Sequence, residues 1–172
     1  MSKANEPEDM LAEAADLVTR CRRGSLATRL AREDQAAAPG FPYISLVLLA
    51  ADEAGQPFLL LSDLSEHAQN LQRDPDLALL LDETADKEEP LAHARLALMG
   101  KARQESNPEK SKALKAAFIA AHPRAKLWAS FADFKPYRID WIAAHFVAGF
   151  GRIAWLDSKE LMGLVRSSAH QG

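Results

Sequence analysis

The sequence predicts an α+β fold in which about six short antiparallel strands form a barrel and helices fill the connections. Apolar runs of strand length recur along the chain. The helical patterns between them do not alternate with the runs one for one, as they would around a parallel sheet. Because 172 residues with 48% hydrophobic content suffice for one core, we expect a single domain over residues 1–172.

The first third of the chain predicts one helix and three strands. Apolar side chains recur at helical spacing over residues 8–22, with acidic residues early and arginines late, which suits the helix dipole. Residues 24–30 are the first predicted strand, and a polar loop punctuated by Pro and Gly follows. Two apolar runs at about 43–51 and 57–62 flank "DEAGQP", where Gly55 can adopt a positive φ, so they are predicted to form a hairpin.

The middle of the chain alternates between strands and helices. A helix is predicted at 64–73 within "SDLSEHAQNLQRDP", and its final proline ends it. The run "DLALLLDE" is the fourth strand. The stretch "LAHARLALMGKARQES" is the fifth, and it is long enough to bend around a barrel.

The last third predicts two more helices around the end of the barrel. Asn107 and Pro108 begin a helix that continues to about Ala121, and "RAKLWASF" adds a short one. The stretch "YRIDWIAAHFVAGFGRIAWL" alternates imperfectly and contains two glycines, which predicts two tightly joined strands or one long strand with a bulge. Asp157 and Glu160 have capping-box spacing, so a last helix is expected at 157–166. The barrel would cover residues 24–156.

Charge and composition narrow the class of partner and compartment. The chain has 21 basic and 24 acidic residues, a net charge of −3 and no long basic block, which argues against nucleic acid. Its longest apolar run, "YISLVLLAA", is about half of the roughly 20 residues that a membrane helix needs, so no membrane partner is expected. The acidic, polar start is unlike a secretory signal, and a single cysteine makes no internal disulfide. Both features predict the cytoplasm.

Cysteine and histidine are the other side chains with reactive or metal-binding chemistry. Cys21 stands next to two arginines, which would suit either a thiol of lowered pKa or a small buried hydrophobe, and the second interpretation is favoured. His93, His122 and His145 lack ligand spacing with carboxylates, so no metal site is predicted.

The start of the helix after the third strand gathers hydrogen-bonding groups. Ser62, Ser65 and His67 precede or open the helix, and Asn70 lies on it. The first N–H groups of a helix have no intrahelical partner, and the positive end of the dipole lies there, which favours a phosphate. The alternative is that Ser62 or Ser65 merely caps the helix and that His67 is a solvated surface residue.

Five blocks of sequence, in order, resemble the pyridoxamine 5'-phosphate oxidase-like split-barrel superfamily, in the branch related to haem-utilisation proteins. The most specific block is "SDLSEHAQNL" followed by "DP", and the resemblance spans about residues 15–157. The blocks are "RRGSLATRL", "GFPYISLVLLAADEAGQPFLLLSDLSEHAQNLQRDPDLALLL", "EPLAHARLALMGKA", "AAHPRAKLWASFADFKPYRID" and "FVAGFGRIAWL".

The resemblance implies a split barrel that forms a homodimer and binds FMN between its subunits, as a possible FMN-dependent oxidoreductase acting on an unidentified small molecule. Because the flavin performs the redox chemistry, the catalytic residues are left unknown. A haem-binding or haem-utilisation protein on the same fold is one alternative, and a cofactor-free binding dimer is another. The apolar stretch "IAAHFVAGF", which the few helices leave uncovered, also predicts a dimer.

The chain departs from the family pattern at several positions. It has Ala68 where members often carry Thr and Ala78 where they carry Ser. In many members a lysine stands near the position of His67. Since imidazole is only partly charged near neutrality, FMN affinity would weaken as pH rises. Many haem-utilisation members also have a further C-terminal domain that supplies haem contacts, whereas this sequence ends soon after the predicted barrel.

Further candidate residues lie outside the helix start. Tyr43, Ser45 and Leu46 would line the ring, with core packing as the alternative for the strand that carries them. Arg95 and Arg152 are candidate cations for the phosphate or for the flavin oxygens, and the alternative is that they are solvent-facing barrel residues. Phe150 and Trp155 would cover a ring of the partner subunit or pack a dimer interface. The full predicted cofactor-binding set is Tyr43, Ser45, Leu46, Ser62, Leu64, Ser65, His67, Asn70, Arg95, Phe150, Arg152 and Trp155.

Overall fold

The computed structural model describes residues 6–32, 39–84 and 86–169, and these form seven strands, four α-helices and two 3-10 helices. The strands are β1 (Arg23–Arg29), β2 (Pro42–Ala51), β3 (Pro57–Ser62), β4 (Asp76–Asp82), β5 (Arg95–Gln104), β6 (Phe134–Gly149) and β7 (Arg152–Leu156). The α-helices are α1 (Glu6–Arg20), α2 (Glu66–Arg73), α3 (Pro108–Ala121) and α4 (Ser158–Ala169), and the 3-10 helices are Pro90–Ala92 and Pro123–Leu127.

Six of the strands form a closed antiparallel barrel. Their order is β3-β2-β1-β4-β5-β6, and β3 also pairs with β6, which closes the ring. Strand β7 lies outside the ring and pairs with β6. The predicted class, an α+β fold on a six-stranded antiparallel split barrel, is confirmed.

The core has two parts, one inside the barrel and one outside it. Inward side chains of the strands fill the interior, and α1 and α4 pack against that cluster through Leu17 and Leu161. Outside, α3 packs Leu114 and Phe118 against Phe58 and Leu60 of β3. Because side chains alternate along a strand, β3 contributes to both clusters and is buried on both faces.

An ion-pair network supports the closure of the barrel. Arg138 of β6 pairs with Asp52, in the turn between β2 and β3, and with Glu105, just after β5, at 3.4 Å. The side chains of Asp52 and Glu105 are only 8% and 10% exposed. Removing one partner of such a network would leave a charge buried without compensation. The network therefore ties three strands together at the place where β3 meets β6.

Most predicted elements are confirmed within about two residues, and three differences have local causes. The first helix runs from Glu6 to Arg20, two residues earlier than predicted at each end. The fifth strand begins at Arg95, because Pro90–Ala92 forms a 3-10 helix. The glycine-rich stretch forms two strands joined by a tight turn, in which Gly151 has a φ of 77°. The predicted loop after the first strand lies partly outside the described residues, which omit 33–38.

Helix α2 begins at Glu66 and not at residue 64 as predicted. Ser65 has an extended backbone, with φ −80° and ψ 144°, and is therefore the N-cap. Leu64 consequently lies in the turn before the helix, and 80% of its surface is exposed. Leu64 therefore does not share the buried helix face that Ala68 and Leu71 form.

Gly100 provides a test of strand packing. It lies at a register shift between β5 and β6, and a Cβ atom there would come 2.4 Å from the carbonyl oxygen of Asp140. Because that oxygen belongs to the backbone of a paired strand, we expect Gly100→Ala to lower the free energy of unfolding by about 1–3 kcal/mol. Gly163 of α4 is the control, since a Cβ there meets no atom within 4 Å. Gly163→Ala should raise stability by up to about 1 kcal/mol. Urea unfolding measures both, and wild-type stability of Gly100→Ala would contradict the packing described.

Candidate functional site

An open cleft of about 320 Å³ lies where β2 and the end of β3 meet the start of α2. We call it the α2 cleft. Four of the predicted cofactor-binding residues line it, namely Leu46, Ser62, Ser65 and His67. The structure thus brings the predicted second strand and helix start together at one place. The remaining lining residues are apolar or aromatic: Val47, Leu48, Leu60, Leu61, Phe118, Trp128 and Phe134.

Hydrogen bonds of the two serines build the turn between β3 and α2. The Ser62 carbonyl accepts bonds from the backbone N–H of Ser65 at 2.9 Å and from its hydroxyl at 2.7 Å. The Ser62 hydroxyl donates to the Asp133 carboxylate and accepts from the N–H of Leu64 at 3.1 Å. Both hydroxyl protons are therefore already donated within the protein.

The first turn of α2 receives no side-chain cap from Ser65. Ser65 is therefore the N-cap by backbone position only, because its hydroxyl donates to the Ser62 carbonyl and accepts no hydrogen bond from the helix. The N–H groups that begin a helix favour an anion. The start of α2 lies at the cleft, because Ser65 and His67 on either side of its first residue line it. The Ser62 hydroxyl at this place already donates to the carboxylate of Asp133.

His67 is half-buried at the edge of the α2 cleft. Burial lowers the pKa of its imidazole, because the charged form loses hydration. The sequence suggested a partly charged histidine in place of a lysine. The structure instead favours a neutral imidazole at pH 7.

Aromatic side chains form the far wall of the α2 cleft. The rings of Trp128 and Phe134 lie 4.6 Å apart, and Trp128 makes an edge contact with Phe118 at 5.9 Å. These residues come from α3, from the segment after the second 3-10 helix and from the start of β6. None was predicted as a site residue, although "LWASFADF" carries three aromatic residues in eight positions. This density of aromatic residues was the sequence feature that could have indicated the aromatic wall.

The α2 cleft contains no lysine or arginine among the described residues that line it. A phosphate bound there would have to rely on helix N–H groups and on a neutral imidazole. A flat apolar group, in contrast, would meet a suitable wall. The electrostatics therefore differ from what the sequence suggested for a dianionic phosphate.

Asn70 is fully buried and holds α2 to the first strand. Its side-chain amide donates to the Thr28 hydroxyl at 3.0 Å, and its carbonyl accepts from the N–H of Ala31 at 3.0 Å. Asn70 does not line the α2 cleft. Its observed contacts make it a residue that positions the helix and, through it, His67.

The other predicted residues of β2 and the following turn lie beside the cleft. Tyr43 and Ser45 are half-buried and do not line it. The Ser45 hydroxyl is buried and has no hydrogen-bond partner among the described residues. Leu64 lies in the exposed turn. The structure therefore separates these three side chains from Ser62 and His67.

The two predicted cations lie elsewhere on the barrel. Arg95 donates from its guanidinium to the backbone carbonyls of Leu91 and His93, at 2.9 and 3.3 Å. Arg152 pairs with Glu13 of α1 at 2.8 Å. Neither lines the α2 cleft of the same chain.

Trp155 and Leu46 end a continuous row of side chains across the outside of the barrel. Strand register pairs Leu46 with Ser25, Ser25 with Leu80, Leu80 with Ala97, Ala97 with His145 and His145 with Trp155. We call this the outer row. Leu46 and Trp155 are 70% and 68% exposed, and Phe150 in the nearby turn is 94% exposed. Exposed apolar side chains grouped on one face in this way are typical of an interaction surface.

Three remaining expectations concern the cysteine, a metal site and membrane-spanning helices. Burial raises the pKa of the Cys21 thiol to about 11, which confirms its interpretation as a small buried hydrophobe. Within the described ranges, no group of three His, Cys, Asp or Glu residues is placed to hold a metal ion. No helix in the same ranges has the length and apolar character required to cross a membrane.

Comparison with known proteins places this geometry in a class. The architecture is that of the pyridoxamine 5'-phosphate oxidase-like split barrels, as the sequence blocks predicted. The chain belongs to the CREG beta-barrel family, whose model matches residues 5–162. Among curated proteins, none matches the chain.

Three solved structures illustrate the relationship. A haem-binding protein from Mycobacterium smegmatis is 26% identical over 95% of this chain, with a TM-score of 0.77, and this chain covers 62% of its length. HutZ, the haem storage protein from Vibrio cholerae, is 18% identical over 81% of this chain and 94% of its own, with a TM-score of 0.58. A general stress protein 26-related protein of the pyridoxinephosphate oxidase family, from Clostridium acetobutylicum, is 15% identical over 90% of this chain and 98% of its own, with a TM-score of 0.63.

The depressed pKa of His67 leads to a prediction about pH. A pKa below the unfolded value of about 6.5 means that protonation favours unfolding. The contribution of neutral His67 to the free energy of unfolding is complete above pH 6.5, and it is lost as the pH falls toward the pKa of His67 in the folded protein. NMR titration should give His67 a midpoint below 6.5, and His67→Gln should lose less stability than the wild type between pH 7.5 and 5.5. A midpoint at or above 6.5 would contradict the burial described.

Proposed function

We propose that this protein binds haem in the α2 cleft, with His67 as the candidate iron ligand. The observation that carries the proposal is a neutral, half-buried imidazole in a cleft with an aromatic wall and no lining cation. Haem brings most of the ligands of its iron with it, so the protein would need to supply only one side chain, and His67 would be that ligand. The absence of a three-residue metal cluster among the described residues is therefore no obstacle.

The other residues of the α2 cleft fit a flat macrocycle. Leu46 and Leu48 of β2 supply apolar surface to the lining, and Trp128 and Phe134 supply ring surface. Asn70 and Thr28 hold the helix that carries His67. When bound, haem would supply redox-active iron, while these residues bind it, orient it and exclude water. A similar M. smegmatis protein is a haem-binding protein, which also supports the proposal.

FMN is the second candidate, favoured by one specific observation. The first turn of α2 lacks a side-chain cap from Ser65 and lies next to an aromatic wall, and a phosphate and a flat ring need these two features. The flavin would then perform the redox chemistry of an oxidoreductase on a small molecule. Two observations weigh against it, the donated protons of Ser62 and Ser65 and the nearby carboxylate of Asp133.

The two cofactors predict opposite dependence on pH. Iron ligation requires a neutral imidazole, so haem affinity should fall as pH drops below the pKa of His67. A phosphate favours the charged imidazole, so FMN affinity should fall as pH rises.

Haemin titration of the purified protein tests the first candidate. We expect His67→Ala to weaken haemin binding at least about tenfold, or roughly 1.4 kcal/mol, and to shift the Soret band, because the iron loses its protein ligand. His93→Ala is the matched control, since His93 is exposed and lies outside the cleft. A parallel titration with FMN, followed by flavin fluorescence, tests the second candidate. Equal haemin affinity in the wild type and His67→Ala would refute His67 as the ligand, and binding of neither cofactor would favour a cofactor-free dimer.

We also propose that the protein is a homodimer that pairs through the outer row. The exposed surface of Leu46, Leu80 and Trp155 is apolar, and Phe150 and Ile153 extend it on the β7 side. Interface cores are enriched in aromatic residues, and such a face would bury them. Because Leu46 belongs both to the outer row and to the α2 cleft, a partner on this face would also border the cofactor site.

The oligomeric state can be tested with two leucines of similar exposure. Leu80 in the outer row is 39% exposed, and Leu164 on α4 is 37% exposed. Leu80→Arg should convert the dimer to a monomer by placing a charge at the centre of the apolar face, whereas Leu164→Arg should remain dimeric. Multi-angle light scattering at micromolar concentration measures both. A monomeric wild type, or a dimeric Leu80→Arg variant, would contradict the interface.

We further propose the cytoplasm as the compartment. The single cysteine is buried with a raised thiol pKa, so it needs no oxidising environment. The formal charge of −3 gives no reason to expect a nucleic-acid partner.

A further inference from the structure

A second cleft adjoins the α2 cleft on the other side of Trp128. It measures about 560 Å³ and shares Leu48 and Trp128 with the α2 cleft. The end of α3 and the second 3-10 helix form the rest of it, including His122, Pro123 and Arg124. We call it the α3 cleft. We propose that it binds a small carboxylate with an apolar body, as the substrate or effector that works beside the cofactor.

Arg124 supplies the charge for this site. Its side chain is exposed at the α3 cleft, and within residues 6–32, 39–84 and 86–169 it has no hydrogen-bond or ion-pair partner. No Asp or Glu is among the described lining residues, and Lys126, two positions further on, does not line the cleft. A guanidinium matches a carboxylate through two parallel N–H···O bonds. The charge of Arg124 is therefore available to an external anion.

His122 adds a second polar group with a defined orientation. Its Nε2 lies 2.7 Å from the carbonyl oxygen of Leu49. A carbonyl oxygen only accepts hydrogen bonds, so Nε2 carries the proton and donates it, and Nδ1 is the remaining hydrogen-bonding nitrogen of the ring. The ring also packs against Phe118 at 4.8 Å. The imidazole is thus fixed by the backbone and by packing. Its Nδ1 can accept a hydrogen bond from an N–H or O–H group of a ligand, so the contact with a carboxylate falls to Arg124.

The remaining walls of the α3 cleft set the character of the ligand body. Leu48 and the Trp128 indole separate it from the α2 cleft, and Ala121, Pro123 and Ala125 complete an apolar lining. A ligand that offered only charge would leave this surface exposed. The combination favours an aromatic or branched aliphatic acid over a free inorganic anion.

The role of the carboxylate as a substrate or effector rests on the proposed function. The binding of a carboxylate in the α3 cleft does not. The α3 cleft is formed by residues of this chain alone, and its binding can be measured on protein without cofactor. A failure of haem or FMN to bind would therefore leave the carboxylate site intact. A failure of the carboxylate would leave the cofactor proposal intact.

The test is an NMR titration of the cofactor-free protein with benzoate, with benzyl alcohol as the uncharged ligand of similar shape. We expect saturable shifts of the Trp128 indole N–H, assigned with Trp128→Phe among the three tryptophans. Benzyl alcohol should bind at least about tenfold more weakly, because it lacks the charge that Arg124 recognises.

Two arginine variants and one lysine variant identify the cation. Arg124→Gln should weaken benzoate binding at least about tenfold. The affinity of Arg124→Lys should lie between those of the wild type and Arg124→Gln, because lysine keeps the charge but cannot make two parallel N–H···O bonds. Lys126→Gln is the matched control and should change affinity less than about twofold. Non-saturable shifts, equal binding of benzyl alcohol, or an unchanged affinity of Arg124→Gln would overturn the proposal. Because Arg124 is exposed, its variants are expected to fold. Far-UV circular dichroism of each variant verifies that the fold is retained.

Discussion

The pairing of β3 with the start of β6 is the interaction on which the rest of the structure depends. It aligns Phe58–Ser62 with Phe134–Arg138 and closes the barrel. Ser62 at the end of β3 is thereby placed opposite Phe134, which brings the start of α2 next to the aromatic wall. The Arg138 network reinforces the same junction with two buried carboxylates. The α2 cleft exists because this closure joins two segments far apart in the sequence.

Local sequence signals predicted the elements well, because the forces behind them are local. Gly55 reaches the positive φ that the first hairpin turn requires, at 76°, and Asn107 caps α3 through the N–H of Lys110. The start of α2 was placed two residues early, since hydrogen bonds between Ser62 and Ser65 extend the turn. Those bonds depend on details of geometry that residue types alone do not specify.

The site was predicted only in part, for the same reason. Leu46, Ser62, Ser65 and His67 meet in one cleft, and three of them come from a single short segment. Trp128 and Phe134 reach the cleft only through the long-range closure of the barrel, so periodicity could not assign them. The partners of Asn70 on the first strand and of Arg152 on α1 are likewise tertiary. A sequence shows which side chains can form such contacts and leaves their partners open.

The electrostatics of the cleft are the reason for proposing haem before FMN. An anion needs donors with free protons, whereas the two hydroxyls here already donate within the protein, that of Ser62 to the Asp133 side chain. A neutral imidazole and apolar walls suit a macrocycle that brings its own metal. The visible absorption spectrum of protein freshly purified from cells supplied with iron tests this account most directly. We predict a Soret band that is weaker and shifted in His67→Ala, and flavin bands without a Soret band, or no visible absorption, would contradict it.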